Sequence, residues 1–178
     1  MQIPSLFVAL ALCLGALAAT APAAAGPRMA GIMRNITIEA PAAKVWARVG
    51  KFQDMSWHPD VRKTDGTGGE ELQATRVLHL ASGGTVAQTL VDREALSYLG
   101  ASKRVDAKAL PVDEFSLDVR VLEGSASKCQ VNLSASIVHM VADGGKDDAA
   151  SEAIDQTVRD FLDAGLQSLK REMEARSE

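Results

Sequence analysis

Residues 115–121 read FSLDVRV and residues 129–138 read CQVNLSASIV. In the first run Phe115, Leu117, Val119 and Val121 alternate with Ser116, Asp118 and Arg120. In the second, Cys129, Val131, Leu133, Ala135 and Ile137 alternate with Gln130, Asn132, Ser134 and Ser136. An apolar period of two places successive side chains on opposite faces of a strand, so both runs are strands with one dry and one wet face. That pattern belongs to an antiparallel sheet rather than to a parallel one covered on both sides.

Working toward the amino terminus, the same punctuation recurs. Gly66, Gly68 and Gly69, then Gly83 and Gly84, then Leu110 with Pro111, and finally Gly124 with Ser125 break the chain into strands. Arg76 to Leu80, Thr85 to Val91 and Leu96 to Ser102 are the remaining best runs, and Ser82, Gly83 and Gly84 form a tight hairpin between the first two. Before them, Ile36 and Ile38 alternate with Asn35, Thr37 and Glu39 in a short strand. Pro41 then opens a helix with Val45, Trp46, Val49 and Phe52 on one face. Gln53 to Asp60 turns through Trp57, His58 and Pro59, so that His58 stands at the end of a second short helix or in the loop itself.

Toward the carboxyl terminus, Asp143 to Asp148 is a polar loop. Beyond it Ile154, Val158, Phe161, Leu162, Gly165, Leu169 and Met173 share one stripe of a long helix. The predicted architecture is α+β: a curved antiparallel sheet of about seven strands around a long carboxy-terminal helix, with two short helices after the first strand.

Dimensions give this order a consequence. A helix of about 25 residues is roughly 37 Å long and about 10 Å across, whereas seven strands make a sheet roughly 34 Å wide. The sheet must curl around the helix, and a hollow is expected beside the Trp57 turn. Gly165 sits at the centre of the helical stripe although glycine costs about 1 kcal/mol relative to alanine there. Two readings explain it: room for a ligand, or close contact between helix and sheet.

No charged side chain occurs from Met1 to Pro27, and the apolar run from Leu6 to Ala19 precedes Pro22 and the small residues Ala23, Ala24 and Ala25. This reads as a secretory signal over residues 1–25, cleaved near Ala25 and Gly26, with one domain over 26–178. The run is shorter than the about 20 residues that span a bilayer, so no stable membrane anchor is expected and the protein is placed in the periplasm or secreted. Only Cys129 then remains, which excludes an intrachain disulfide and suits core packing. A net charge of −4 with 4% aromatic residues excludes a basic stacking surface for nucleic acid.

The chain lacks a GxSxG elbow, P-loop, Rossmann fingerprint, CxxC pair and HExxH helix, so no cofactor is implied. His58, His79 and His139 are far apart in sequence and no metal site is expected from them; His79, opposite Leu78 and Leu80, belongs to the solvent face. Glu70 with Glu71 reads as solvated surface. His58 is the candidate acid or base, because an imidazole at the cavity end exchanges protons near neutral pH; capping of the local turn is its structural alternative. Trp57 is placed at the entrance or as a wedge, and Arg76 and Tyr98 present polar tips. With Phe115, Leu117, Phe161 and Gly165 they make up the candidate ligand-binding set.

The element order resembles the SRPBCC superfamily of START-like helix-grip proteins, including the polyketide cyclase/dehydrase-like group. The residues that carry the likeness are Glu39, Ala40, Pro41, Ala43, Val45 and Trp46, then Trp57, His58 and Pro59, then Leu110, Pro111 and Val112, and Gly165, Leu166, Leu169 and Lys170. The likeness covers about Gly31 to Ala175. The leader and the stretch Trp46 to Gly69, with Lys51, Phe52, Met55, Ser56, Thr64, Gly66 and Gly68, resemble the MxaD-like periplasmic methanol-oxidation accessory proteins. The resemblance implies a hydrophobic cavity for a small molecule, or a non-catalytic accessory role beside a periplasmic dehydrogenase or cytochrome. The alternative it implies is a cyclase, dehydratase or isomerase using the cavity, with His58 as acid or base and Tyr98 or Arg76 polarising an oxygen.

Overall fold

The computed structural model describes residues 25–141 and 149–175. The expected leader up to residue 24 and the polar loop Asp143 to Asp148 lie outside the described residues, which begin at the expected cleavage point near Ala25 and Gly26. Seven strands and two helices follow one another as β1 (Gly26–Ile38), α1 (Ala42–Val49), β2 (Val61–Thr67), β3 (Thr75–Leu80), β4 (Thr85–Glu94), β5 (Ser97–Ser102), β6 (Glu114–Ser125), β7 (Lys128–Val141) and α2 (Ala149–Ala175). All the strands form one antiparallel sheet in the order β1-β7-β6-β5-β4-β3-β2.

Hairpin connections account for most of that order, because antiparallel neighbours can be joined by a few residues. The turn after β3 needs backbone conformations that glycine adopts freely: Gly83 has φ 95° and Gly84 φ 75°. The alternating residues of β6 and β7 keep their expected faces, since Phe115, Leu117, Val119, Val121, Val131, Leu133, Ala135 and Ile137 are buried. Opposite them α2 buries Val158, Phe161, Leu162, Gly165, Leu166, Leu169 and Met173, so the core is the space between the concave sheet face and one helical stripe. Cys129 belongs to that core, and burial raises its thiol pKa.

Three local expectations are corrected. One short helix follows β1, not two. The segment 51–60 makes separate turns, with Asp54 N–H on Lys51 C=O, His58 N–H on Met55 C=O and Val61 N–H on His58 C=O, each spanning three residues. Pro59 has no N–H to extend such bonds into a ladder and restricts His58 before it. Second, α1 stops at Val49 and Pro41 caps it rather than forming its first turn. Phe52 lies beyond the helix and still reaches the core.

Third, β1 is far longer than the Asn35 to Glu39 run, and β2 is an additional strand at the opposite edge. The inward positions of β1 include Arg28 and Arg34, which meet α2 through ion pairs. Arg28 forks onto both oxygens of Asp155 at 2.9 and 3.0 Å, and Arg34 Nε donates to Asp163 at 2.7 Å. Among the described residues no helix is long and apolar enough to cross a membrane.

Candidate functional site

The turn that carries Trp57 and His58 packs directly under α2 at Gly165. A Cβ on Gly165 would fall 2.6 Å from His58 Cδ2 and 3.1 Å from a ring carbon of Trp57. Both rings are buried, at 1% exposure each. The vacancy left by glycine is thus filled by these two side chains, which corrects both expectations for it: it holds neither ligand space nor a sheet strand.

The His58 ring is held on three sides. Its face stacks on Phe161, with centroids 4.0 Å apart. Nδ1 accepts the Asp60 N–H at 3.2 Å, and Nε2 lies 2.9 Å from the Phe161 carbonyl. An acceptor at Nδ1 and a carbonyl at Nε2 fix the neutral tautomer that carries its proton on Nε2. Burial pushes the pKa down to about 4, against smaller upward pulls from the Phe161 carbonyl and Asp60. With both nitrogens committed to backbone, His58 has no free lone pair or proton for a substrate, and its candidacy as acid or base is withdrawn.

Arg76 and Tyr98 form a second, separate cluster. Both are buried, and Arg76 borders a cleft of about 490 Å³ along β3 and β4 with Thr75, Val77, Ala87 and Gln88. Arg76 donates from Nε and Nη2 to Gln88 Oε1 at 2.9 and 2.6 Å, and from Nη1 to the Phe52 carbonyl at 2.6 Å and the Tyr98 hydroxyl at 3.3 Å. Its guanidinium carbon lies 4.2 Å from the Phe52 ring centroid, a cation–π contact. These groups pin the post-α1 turn to strands β3, β4 and β5. Glu70, read as solvated surface, contributes to the same pinning: it accepts the Phe52 N–H at 3.0 Å and pairs with Arg93 at 2.7 Å.

Among the remaining candidates, Phe115 meets Phe161 edge to face, with centroids 6.2 Å apart, and Leu117 is fully buried on β6. The structure therefore gathers Trp57, His58, Phe115, Phe161 and Gly165 into one packed group, and leaves Arg76 and Tyr98 outside it. No group of three or more metal-ligating side chains occurs among the described residues. His79 bonds Asp65 at 3.0 Å on the outer face and His139 lies beside Arg28, so the histidines are dispersed.

An opening does occur next to this turn. A cleft of about 420 Å³ lies where α2 passes the β3–β4 hairpin and the loop before β6. It is lined by Leu80, Ala109, Leu110, Phe161 and Ala164, with Asp60, Ser82, Thr157 and Asp160 adding polar groups. Its size is that of a small-ligand pocket. Of the candidate set only Phe161 lines it; the sequence reading missed Asp60, Leu80, Asp160 and Ala164. The signal available was helical: Thr157, Asp160, Phe161 and Ala164 fall at spacings of three and four, one face of α2.

Comparison with solved structures gives the same architecture in several proteins. The protein XoxI from Bacillus cereus is 18% identical with a TM-score of 0.67, over 84% of this chain and 99% of that one. The Zhui aromatase/cyclase from a Streptomyces species is 18% identical with a TM-score of 0.67, over 85% and 97%. A START superfamily protein from Mycobacterium smegmatis reaches a TM-score of 0.67 at 9% identity, over 82% and 97%. Comparison with curated proteins gives no match. Residues 29–174, from the start of β1 almost to the end of α2, match the family described as polyketide cyclase / dehydrase and lipid transport. A seven-stranded sheet curled around one terminal helix, matched over that whole span, makes this chain a helix-grip member of the polyketide cyclase/dehydrase and lipid transport family.

Proposed function

We propose that this protein is a non-catalytic carrier that holds a small hydrophobic molecule in the cleft beside the Trp57 turn. The observation that supports the reading is the cleft itself, about 420 Å³ with an apolar floor of Leu80, Leu110 and Phe161 and a polar rim. The alternative cyclase, dehydratase or isomerase reading loses its support with His58, whose ring nitrogens are both engaged by backbone. In this proposal the apolar leader delivers the domain to the periplasm. A role beside a dehydrogenase or cytochrome there rests on the sequence resemblance alone.

Native mass spectrometry of the purified protein, with displacement of an environment-sensitive dye, tests the carrier reading. Ala164 is only partly buried, so Ala164→Phe fills the cleft without opening the core. Dye or ligand binding to the wild type that falls at least about tenfold in Ala164→Phe, at unchanged thermal midpoint, supports the proposal. Equal binding by both proteins overturns it.

A further inference from the structure

The polar lining of the cleft is of one kind. Asp60 and Asp160 are its only charged residues. Neither makes an ion pair among the described residues; Asp160 Oδ1 accepts only the Gln156 amide at 2.7 Å. Arg159, next to Asp160, is engaged by Glu152 and Gln156. Lys108 precedes Ala109 but does not line the cleft.

The two hydroxyls have already given up their hydrogens. Thr157 donates to the Ala153 carbonyl at 2.9 Å, and Ser82 donates toward the carbonyls of Gly83 and Lys108, both at 3.3 Å. Of the lining N–H groups outside α2, that of Ser82 alone has no hydrogen-bond partner among the described residues; the others are spent. That of Asp60 goes to His58 Nδ1, that of Leu80 to Gly84, and those of Ala109 and Leu110 to Asp106. What this wall offers a ligand is therefore mainly carboxylate oxygens and hydroxyl lone pairs, with the Ser82 N–H as the one donor against them.

A carboxylate or phosphate head would meet two negative charges and find a single N–H, that of Ser82, to accept from. An ammonium head brings several donors and the complementary charge, and the adjoining apolar floor strengthens that attraction relative to open water. Asp60 is also held in place, its N–H on the His58 ring and its C=O receiving the Ala81 N–H at 2.7 Å.

Resting on the carrier reading above, we infer that the ligand of this cleft is a cationic amphiphile: an apolar body lying on Leu80, Leu110 and Phe161, with an amine head between Asp60 and Asp160. Decylamine, decanol and decanoate share one chain length and differ only in the head, so titrating each by dye displacement isolates it.

The expected order is decylamine tightest, about tenfold over decanoate, with the difference shrinking as salt is raised. In Asp60→Asn/Asp160→Asn decylamine weakens to the level of decanol, while decanol itself is unchanged. Decanoate binding as tightly as decylamine, or an amine preference that survives in the double variant, overturns the inference while leaving a carrier in place. Failure of all three chains to bind the wild type overturns the carrier reading, and the inference with it.

Discussion

Gly165 and His58 occupy what would otherwise be the same space: a Cβ added to the glycine lies 2.6 Å from Cδ2 and 2.9 Å from Nε2 of the imidazole. The ring cannot swing away cheaply, because stacking on Phe161 and two hydrogen bonds to backbone hold it. Gly165→Ala therefore sets a gain of about 1 kcal/mol in helix propensity against overpacking of a rigid neighbour. The overpacking wins, and the net loss is about 1–3 kcal/mol. Urea denaturation measures it. In a His58→Ala background the same substitution becomes neutral or stabilising, since the obstacle is gone; equal losses in both backgrounds would contradict the contact.

His58 also makes stability depend on pH. Its pKa falls from an ordinary 6.5 to about 4 on folding, chiefly through burial. The folded value is the lower one, so between them the unfolded chain binds more protons and stability rises with pH. The contribution is complete above about 6.5 and is lost as pH falls toward 4, up to about 3 kcal/mol in all. Carboxylates held low by partners, such as Asp54 and Glu174, also lose stabilisation in acid. The difference between wild type and His58→Gln isolates the histidine, because glutamine keeps an amide donor for the Phe161 carbonyl but does not titrate. A difference curve that is flat from pH 4 to 6.5 would sink the assignment.

Alternation made β6 and β7 legible, because the inward residues from Phe115 to Val121 and from Cys129 to Ile137 are all apolar and answer to the same local rule; beyond them the inward His139 breaks it. In β1 the rule breaks down. Its inward residues include Arg28 and Arg34, whose partners Asp155 and Asp163 lie over a hundred residues away on α2. An arginine at an inward position reads as an exposed one until that acid is known. The edge strand β2 buries little beyond Val61 and carries no pattern to read. The site was partly legible for the same reason: spacing placed Phe161 and Gly165 on one stripe, but nothing local told that His58 would spend both nitrogens on backbone or that Arg76 would find Gln88. Geometry in the sequence predicted a hollow, and side chains from the Trp57 turn occupy its middle, leaving the cleft at its mouth.

Arg76 is fully buried, and its hydrogen-bond partners are neutral: the Gln88 amide oxygen, the Phe52 carbonyl and the Tyr98 hydroxyl. Removing the guanidinium strands no opposite charge, but it leaves the Gln88 and Phe52 oxygens without donors in a dry interior. Arg76→Met, which keeps much of the volume, is expected to cost about 3 kcal/mol for that reason. Arg76→Met/Gln88→Met removes one stranded acceptor together with its donor and recovers about 1 kcal/mol relative to the single variant, even though Gln88 also gives up its bond to the Gly100 carbonyl. Urea denaturation of the wild type, both single variants and the double variant closes the cycle. Losses that simply add would mean the two side chains do not depend on each other, and that Arg76 holds the post-α1 turn through Phe52 alone.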